Sequence, residues 1–296
     1  QIPVPKGAGV EGLGYGFTEF NQAAFGGRVY LDLDGDNRFT AGVDEPLEGV
    51  TLRLTGVDRQ GRNVLRTVVT DGEGLYGFGA LPPSDANGYT IQELLDEVVR
   101  EVFNGPIQVG DLGGVANPAN ERIQGIVFLP GAGDGGLGYD FLHFAPGSIA
   151  GRVMIDSDAT GQASASDQGV AGVTLNLNGL DYLGNPVSRT LATDAEGRFA
   201  LVGLPPSNSQ GYTLSQTQPT GLLEGPAIAG TRGGVALVNR IEGIVLRAGF
   251  RDDAANYLFL EYRPSSLTGL VYDDENNTGQ FEQGDPPIPG VILRLT

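Results

Sequence analysis

Cysteine and tryptophan are absent from the 296 residues, and histidine, methionine and lysine occur once each. Without cysteine no disulfide staples the fold and no thiolate serves as nucleophile or metal ligand. With no second histidine beside His143, imidazole-based zinc sites are excluded as well. His143 alternates with Phe141 and Phe144 at a strand end and is expected at the surface or between domains. No G-x-S-x-G, P-loop or H-E-x-x-H pattern occurs, so an enzyme is not expected. No apolar run approaches ~18 residues, so no helix of membrane-spanning length is expected. No charged-then-apolar segment opens the chain, and any export signal is expected outside these residues.

Positive charge is scarce too. Eighteen basic residues stand against 36 acidic ones, a net charge of −18. Nucleic acid, which needs a basic footprint, is therefore not an expected partner. An anionic membrane surface is not an expected partner on the same ground. The balance suits soluble, mutually repelling surfaces or cation binding.

What is present is repetition. GRVYLDLDGDNRFTAGVDEPLEGVTLRL, from Gly27 to Leu54, returns from Gly151 to Leu177 and again from Gly269 to Leu295. Each copy is a short apolar strand, an Asp/Asn/Gly-rich loop, then Gly-Val (Gly-Val-Ile in the third copy) and an alternating strand. The middle of the unit repeats as well. Thr70-Asp71-Gly72-Glu73-Gly74 matches Thr193-Asp194-Ala195-Glu196-Gly197, and each is followed by Leu-Pro-Pro and Gly-Tyr-Thr. A last strand, Tyr-x-Phe-x-x-aromatic, occurs at Tyr15–Phe20, Tyr139–Phe144 and Tyr257–Tyr262. A period of about 120 residues follows. The expected organisation is the tail of a preceding repeat over 1–25, complete repeats over 26–147 and 148–266, and the head of a following repeat over 267–296. An excerpt from a longer array is the simplest account, and completion of the ends by neighbouring chains is the alternative.

Runs such as Val50–Thr55 and Val173–Leu177 alternate apolar and polar residues, the mark of a half-buried strand. Turn chemistry at Asp58–Gly61, Asp71–Gly74, Asp181–Gly184 and Asp194–Gly197 separates them. The 48 glycines and 18 prolines show no Gly-X-Y period and so read as turns. Fold class is therefore all-β, with tandem immunoglobulin-like sandwiches. One segment departs: apolar residues at 91, 94, 95, 98, 99 and 102 lie on one helical face, predicting a short amphipathic helix over 91–103.

The Asp-rich loop carries the chemistry. Asp32, Asp34 and Asp36 place side-chain oxygens at alternate positions, followed by the Arg38 carbonyl, Thr40, Asp44 and Glu45. A hard cation such as calcium needs six to eight oxygens, and one loop supplies them only if alternate residues turn inward. Asn37 stands where such loops want glycine, and asparagine tolerates the left-handed conformation. The second copy keeps the spacing with Asp156, Asp158, Thr160, Gln162, Ser164 and Asp167. The third has Asp274, Asn276, Thr278, Gln280, Glu282 and Asp285. The alternative is that these are ordinary turns closed by side-chain-to-backbone hydrogen bonds.

Val-x-x-Asp-x-Asp-x-Asp, then Glu-Pro-Leu-x-Gly-Val-Thr-Leu, Thr-Asp-x-x-Gly-x-Tyr-x-Phe and Leu-Pro-Pro, resembles the calcium-binding B repeats of serine-aspartate repeat surface proteins. These belong with the collagen-adhesin B-type domains. The resemblance covers essentially the whole chain. It implies a prealbumin-like sandwich, a rod-like tandem array, an extracellular place on a bacterial cell surface, and calcium that stiffens a stalk. The Lys–Asn isopeptide bond of the collagen-adhesin branch is not available, because Lys6 lies outside both complete repeats. The expected function is structural, as a stalk, fibre or surface-layer component whose partners are neighbouring repeats or copies of itself. The alternative is an adhesin that recognises a host or matrix protein or a carbohydrate through the variable loops at 104–120 and 222–235. A solvent-exposed row of tyrosines would favour binding, and burial would favour scaffold.

Overall fold

A computed structural model describes residues 23–94, 102–129 and 135–295. Strands are numbered in chain order. In the first repeat one sheet holds β1 (Ala23–Asp32), β2 (Glu45–Pro46), β5 (Leu75–Leu81), β7 (Phe103–Ile107) and β10 (Phe141–Phe144). The facing sheet has the order β4-β3-β6-β9-β8, from β3 (Thr51–Val57), β4 (Asn63–Val69), β6 (Tyr89–Leu94), β8 (Val115–Asn117) and β9 (Arg122–Ile126). β1 runs parallel to β10 but antiparallel to β2 and β5, so the first and last strands of the unit lie side by side.

The second repeat copies this plan. One sheet holds β11 (Gly147–Ile155), β12 (Gln168–Gly169), β15 (Arg198–Leu204), β17 (Leu223–Ile228) and β20 (Asp253–Tyr262). The other has the order β14-β13-β16-β19-β18, from β13 (Thr174–Leu180), β14 (Pro186–Ala192), β16 (Tyr212–Gln216), β18 (Val235–Leu237) and β19 (Arg240–Ile244). The expectation of all-β tandem sandwiches holds.

Alternation explains the layers. Along β3 only Leu52 and Leu54 are fully buried, and β13 does the same with Leu175 and Leu177. Each sandwich closes its own core, one around Val29, Leu52, Tyr89 and Phe141, the other around Val153, Leu175, Tyr212 and Phe259. The repeated Thr-Asp-x-x-Gly is a hairpin lock. Asp71 accepts the amides of Glu73 and Leu75, and Asp194 those of Glu196 and Arg198. Thr70 accepts the Val50 amide and donates to the Leu47 carbonyl, tying this hairpin to β3, and Thr193 does the same with Val173 and Val170.

Two expectations need correction. Residues 91–94, read as the start of a helix, belong to strand β6, and Phe103 opens β7. Residues 95–101 lie outside the described residues. The reason is burial: Tyr89, Ile91 and Glu93 alternate inward, a period of two that the sequence hides because a glutamate reads as a solvent-facing charge. His143, expected at the surface or between domains, is instead buried inside the first sandwich at 1% exposure and faces Glu93 at 3.0 Å.

A third, smaller apolar cluster lies between the sandwiches. Tyr30, Leu142 and Phe144 on the outer face of the first pack against Phe39, Phe103 and the second sandwich's Tyr182 and Ala248. The Phe144 and Tyr182 rings meet edge-on with centroids 5.2 Å apart. In the third copy, residues 269–295 form no strand, and only a bridge joins Tyr272 to Pro287. Val291, Leu293 and Leu295 are exposed there, whereas their counterparts Val50, Leu52 and Leu54 are buried.

Candidate metal centre

The first loop follows β1 directly, and its backbone is shaped by carboxylates. Asp32 is fully buried. Its Oδ1 accepts the amides of Asp34 at 3.2 Å and Gly35 at 2.7 Å, and its Oδ2 accepts that of Asn37 at 3.0 Å. Asp34 accepts the Asp36 amide, and Asp36 the Arg38 amide at 2.7 Å. Asp44 closes the loop, taking the amides of Leu33 at 2.8 Å and Thr40 at 2.7 Å. The Thr40 carbonyl receives the amides of Val43 and Asp44. Asn37 takes φ +60°, the left-handed conformation expected of it.

The other two loops share this conformation. The first aspartate accepts the amide five residues on in every copy: Asn37, Gly161 and Gly279. The last aspartate accepts the amide of Thr40, Ser164 or Glu282. Two left-handed residues recur in step, Gly35 and Asn37, Ala159 and Gly161, Asn277 and Gly279. In the second loop Asp158 also accepts the Thr160 hydroxyl at 2.8 Å and the Ser166 hydroxyl at 3.1 Å. Thr160 and Thr278 are shared further with the carbonyls of Gln162 and Gln280. In the third, Asn276 donates to Glu282 at 2.9 Å.

The carboxylates of Asp32, Asp34 and Asp36 gather with ligand oxygens within 4.8 Å of one another, as do those of Asp156, Asp158 and Asp167. Oxygens bound to one calcium at ~2.3–2.6 Å lie no more than about 5 Å apart, so both donor sets fit a hard cation. Each oxygen engaged by an amide keeps a second lone pair. Burial pushes the Asp32 carboxyl above its usual range, against the pull of the Gly35, Asn37 and Asp34 amides, and Asp44's charge adds to the rise. Three carboxylates this close repel, and a bound cation removes that cost. In the second loop the Thr160 hydroxyl, above all, holds Asp158 down to about 2. Glu45 lies elsewhere: its carboxylate pairs with Arg251 of the second sandwich at 2.6 Å.

Three features of the site have no signal in the loop sequence. Gln108 donates its side-chain amide to the Asn37 carbonyl, bracing the loop from 71 residues away. Gly249 and the Ala248 carbonyl of the second sandwich abut Gly35. Phe250, with Arg247 stacked 3.9 Å over its ring, covers the same glycine. The first loop therefore sits inside the junction.

No family model matches the chain. Among curated proteins it is similar to colossin-A of Dictyostelium discoideum, 24% identical over 299 residues that span 92% of this chain and 2% of that one. It is also similar to serine-aspartate repeat-containing protein D of Staphylococcus aureus (strain Newman), 25% identical over 255 residues, 85% of this chain and 18% of that one. The chain thus spans well under two thirds of these relatives. The resemblance to serine-aspartate repeat proteins read from the motifs is borne out over most of its length. Solved structures that are similar include the shaft pilin SpaA of Lactobacillus rhamnosus GG as a double mutant, with 11% identity, TM-score 0.31, and coverage of 85% of this chain and 100% of that one. A streptococcal ancillary pilin has 15% identity, TM-score 0.35, and coverage of 82% and 63%.

Proposed function

We propose that this chain is part of an extracellular structural protein, a stalk, fibre or surface-layer component built from tandem sandwiches and stiffened by calcium. Complete repeats over 26–147 and 148–266, flanked by partial repeats over 1–25 and 267–296, are part of that reading. The observation that carries it is the placement of the first aspartate loop against the Ala248–Arg251 segment of the next sandwich. A cation held there orders the surface on which the second sandwich rests. Short proline-containing connections, Ala145–Ser148 and Arg263–Ser266, favour a stiff rod over flexible beads.

Burial of the aromatics supports scaffold over adhesin. Tyr30, Tyr76, Tyr89, Tyr139, Tyr212 and Tyr257 are all buried, and no row of exposed tyrosines appears among the described residues. Partners on this reading are neighbouring repeats or copies of the chain. The sequence similarity to a staphylococcal serine-aspartate repeat protein supports a bacterial cell surface.

Thermal unfolding of the chain in millimolar calcium and then in excess chelator tests the proposal. Calcium at a hundredfold excess over its dissociation constant adds about 2.7 kcal/mol to each repeat that binds it. For a repeat of this size that is a rise of roughly 10 °C in Tm. Unchanged melting would show the loops to be turns and would remove calcium from the account.

A further inference from the structure

The first sandwich carries a polar cluster that its role as a spacer does not need. Glu93 on β6 and His143 on β10 face each other across the interior, so the pair joins one sheet to the other. Nε2 of His143 lies 3.0 and 3.2 Å from the two Glu93 carboxylate oxygens, with both side chains at most 1% exposed. Glu121, buried at 7%, completes the group from the end of a single 3-10 turn, Pro118–Asn120. Its carbonyl accepts the Glu93 amide at 2.9 Å, fixing the two residues together. Two atoms of the cluster, His143 Nδ1 and Glu121 Oε1, are buried without a hydrogen-bond partner.

The second sandwich answers the same positions differently. Gln216 replaces Glu93, Glu261 replaces His143 and Asn239 replaces Glu121. There the buried carboxylate is met by neutral amides: the side chains of Gln216 and Gln218 both donate to Glu261, the latter at 2.6 Å, while the second carboxylate nearby, that of Glu224, is exposed and accepts the Asn239 side-chain amide at 3.1 Å. Gln216 also donates to Asn239 at 2.7 Å. That arrangement needs no titrating cation. The first sandwich's arrangement does.

We propose that Glu93, Glu121 and His143 form a proton-operated latch between the two sheets of the first sandwich, closed when the cluster carries its protons and released when it loses them. Charge counting gives the mechanism. An imidazolium, one carboxylate and one carboxylic acid sum to zero inside the sandwich. Deprotonation leaves two buried carboxylates with no cation facing them, which low-dielectric surroundings penalise heavily. The groups facing the imidazole are Glu93 from β6 and Glu121 from the turn. The flanking strands present Leu31 of β1 and Asn104 of β7 in register, both uncharged. The phenols of Tyr76 and Tyr182 are the next titratable groups, feeling Glu93 and Glu121 respectively. The Asp32 carboxylate is on the opposite face of the sheet, with Tyr30 and Phe144, because side chains alternate along a strand.

The proton affinities agree in sign. Burial opposes charge on His143, but the charge and hydrogen bond of Glu93, with Glu121 adding, hold its pKa above the ordinary 6.5. Burial above all, then the charge of Glu93, pushes Glu121 up to about 7. A raised histidine contributes stability that is present below its unfolded value and lost as pH rises through the folded one. A raised carboxyl likewise costs stability as pH climbs from its unfolded value to about 7. Both make the first sandwich firmer in mild acid than in mild alkali.

The test uses the whole chain. As it has one histidine, the imidazole proton resonance needs no assignment, and its titration by NMR is expected to have a midpoint above 6.5. Amide exchange protection, corrected for intrinsic rates, is followed from pH 6 to 9 in strands 89–94, 122–126 and 141–144. Strands 212–216, 240–244 and 253–262 of the second sandwich serve as the internal control. The first set is expected to lose at least about tenfold more protection than the second, as follows when folding raises the proton affinity of one group about tenfold. Glu121→Asn alone, which suits the left-handed backbone there, and the triple exchange E93Q/E121N/H143E are expected to shrink or remove that difference. A midpoint at or below 6.5, an equal loss in both sandwiches, a pH response undiminished in Glu121→Asn, or one that survives in the triple exchange would overturn the latch.

Discussion

Gly249 of the second sandwich rests on Gly35 of the first aspartate loop so closely that a Cβ on Gly249 would stand 2.3 Å from the Gly35 Cα and 3.1 Å from Asp32 Oδ1. Both glycines are left-handed, at φ +74° and +76°. Two backbones thus meet with no side chain between them, and the loop that gathers carboxylates forms part of the surface on which the next repeat stands. Gly249→Ala is therefore expected to pry the junction apart. The left-handed backbone adds a cost of about 1–2 kcal/mol, and the clash is with backbone, which cannot swing aside. Small-angle scattering should show a broader spread of interdomain angles with each sandwich still folded. Arg251→Ala is the contrast: its pair with Glu45 is exposed at 60% and 54%, so less than about 1 kcal/mol is at stake.

Asp32 and Asp36 are expected to separate structure from ion binding. Asp32 is buried and holds three amides, whereas Asp36 is exposed and holds one. In chelator, Asp32→Ala should cost about 1–3 kcal/mol, because three partly buried amide donors lose their acceptor. Asp36→Ala should then be within about 1 kcal/mol of the parent. In calcium both should lose the ion-dependent increment of the first loop. Urea unfolding in the two buffers measures all four values. Equal stability of the parent in calcium and in chelator would mean the loop is a turn and no more.

Much of this was legible because it is periodic. Strands β3 and β13 announce themselves by alternation, and the hairpin lock at Thr70 and Thr193 by repetition. The left-handed sites were legible at Asn37 because the loop chemistry demands them there. Two things were not. Glu93 is charged, and a charge at an inward position erases the period of two over β6. Its partner His143 lies 50 residues on, in the opposite sheet, and a lone histidine carries no sign of which face it takes. The junction was hidden for a different reason: Gly35 and Gly249 matter through backbone approach, which leaves no side-chain pattern to read.

Thr70→Val is expected to cost the first sandwich about 1–3 kcal/mol, the penalty for leaving buried backbone groups unpaired. The hydroxyl both accepts the Val50 amide at 2.9 Å and donates to the Leu47 carbonyl at 2.7 Å. Valine keeps the shape and removes both bonds. The matched change Thr193→Val should act equally on the second sandwich, since its two bonds measure 2.9 and 2.6 Å. Calorimetry that resolves two transitions should move one and then the other, and movement of both by either change would mean that the sandwiches unfold as one unit.

Ala80→Gly is expected to stabilise. Ala80 is held at φ +54°, and its counterpart in the second sandwich is Gly203 at φ +65°. An L side chain in this region costs roughly 1–2 kcal/mol, while glycine gives back roughly 0.5–1 kcal/mol through the freedom of the unfolded chain. The difference leaves a gain on the order of 0.5 kcal/mol for Ala80→Gly. Gly203→Ala should lose a similar amount, because a Cβ there meets nothing within 4 Å and backbone strain is its whole effect. Urea midpoints at constant slope measure both. If Gly203→Ala proved neutral, the left-handed backbone at this corner would have to relax at no cost, and the same geometry at Ala80 would then carry no strain either.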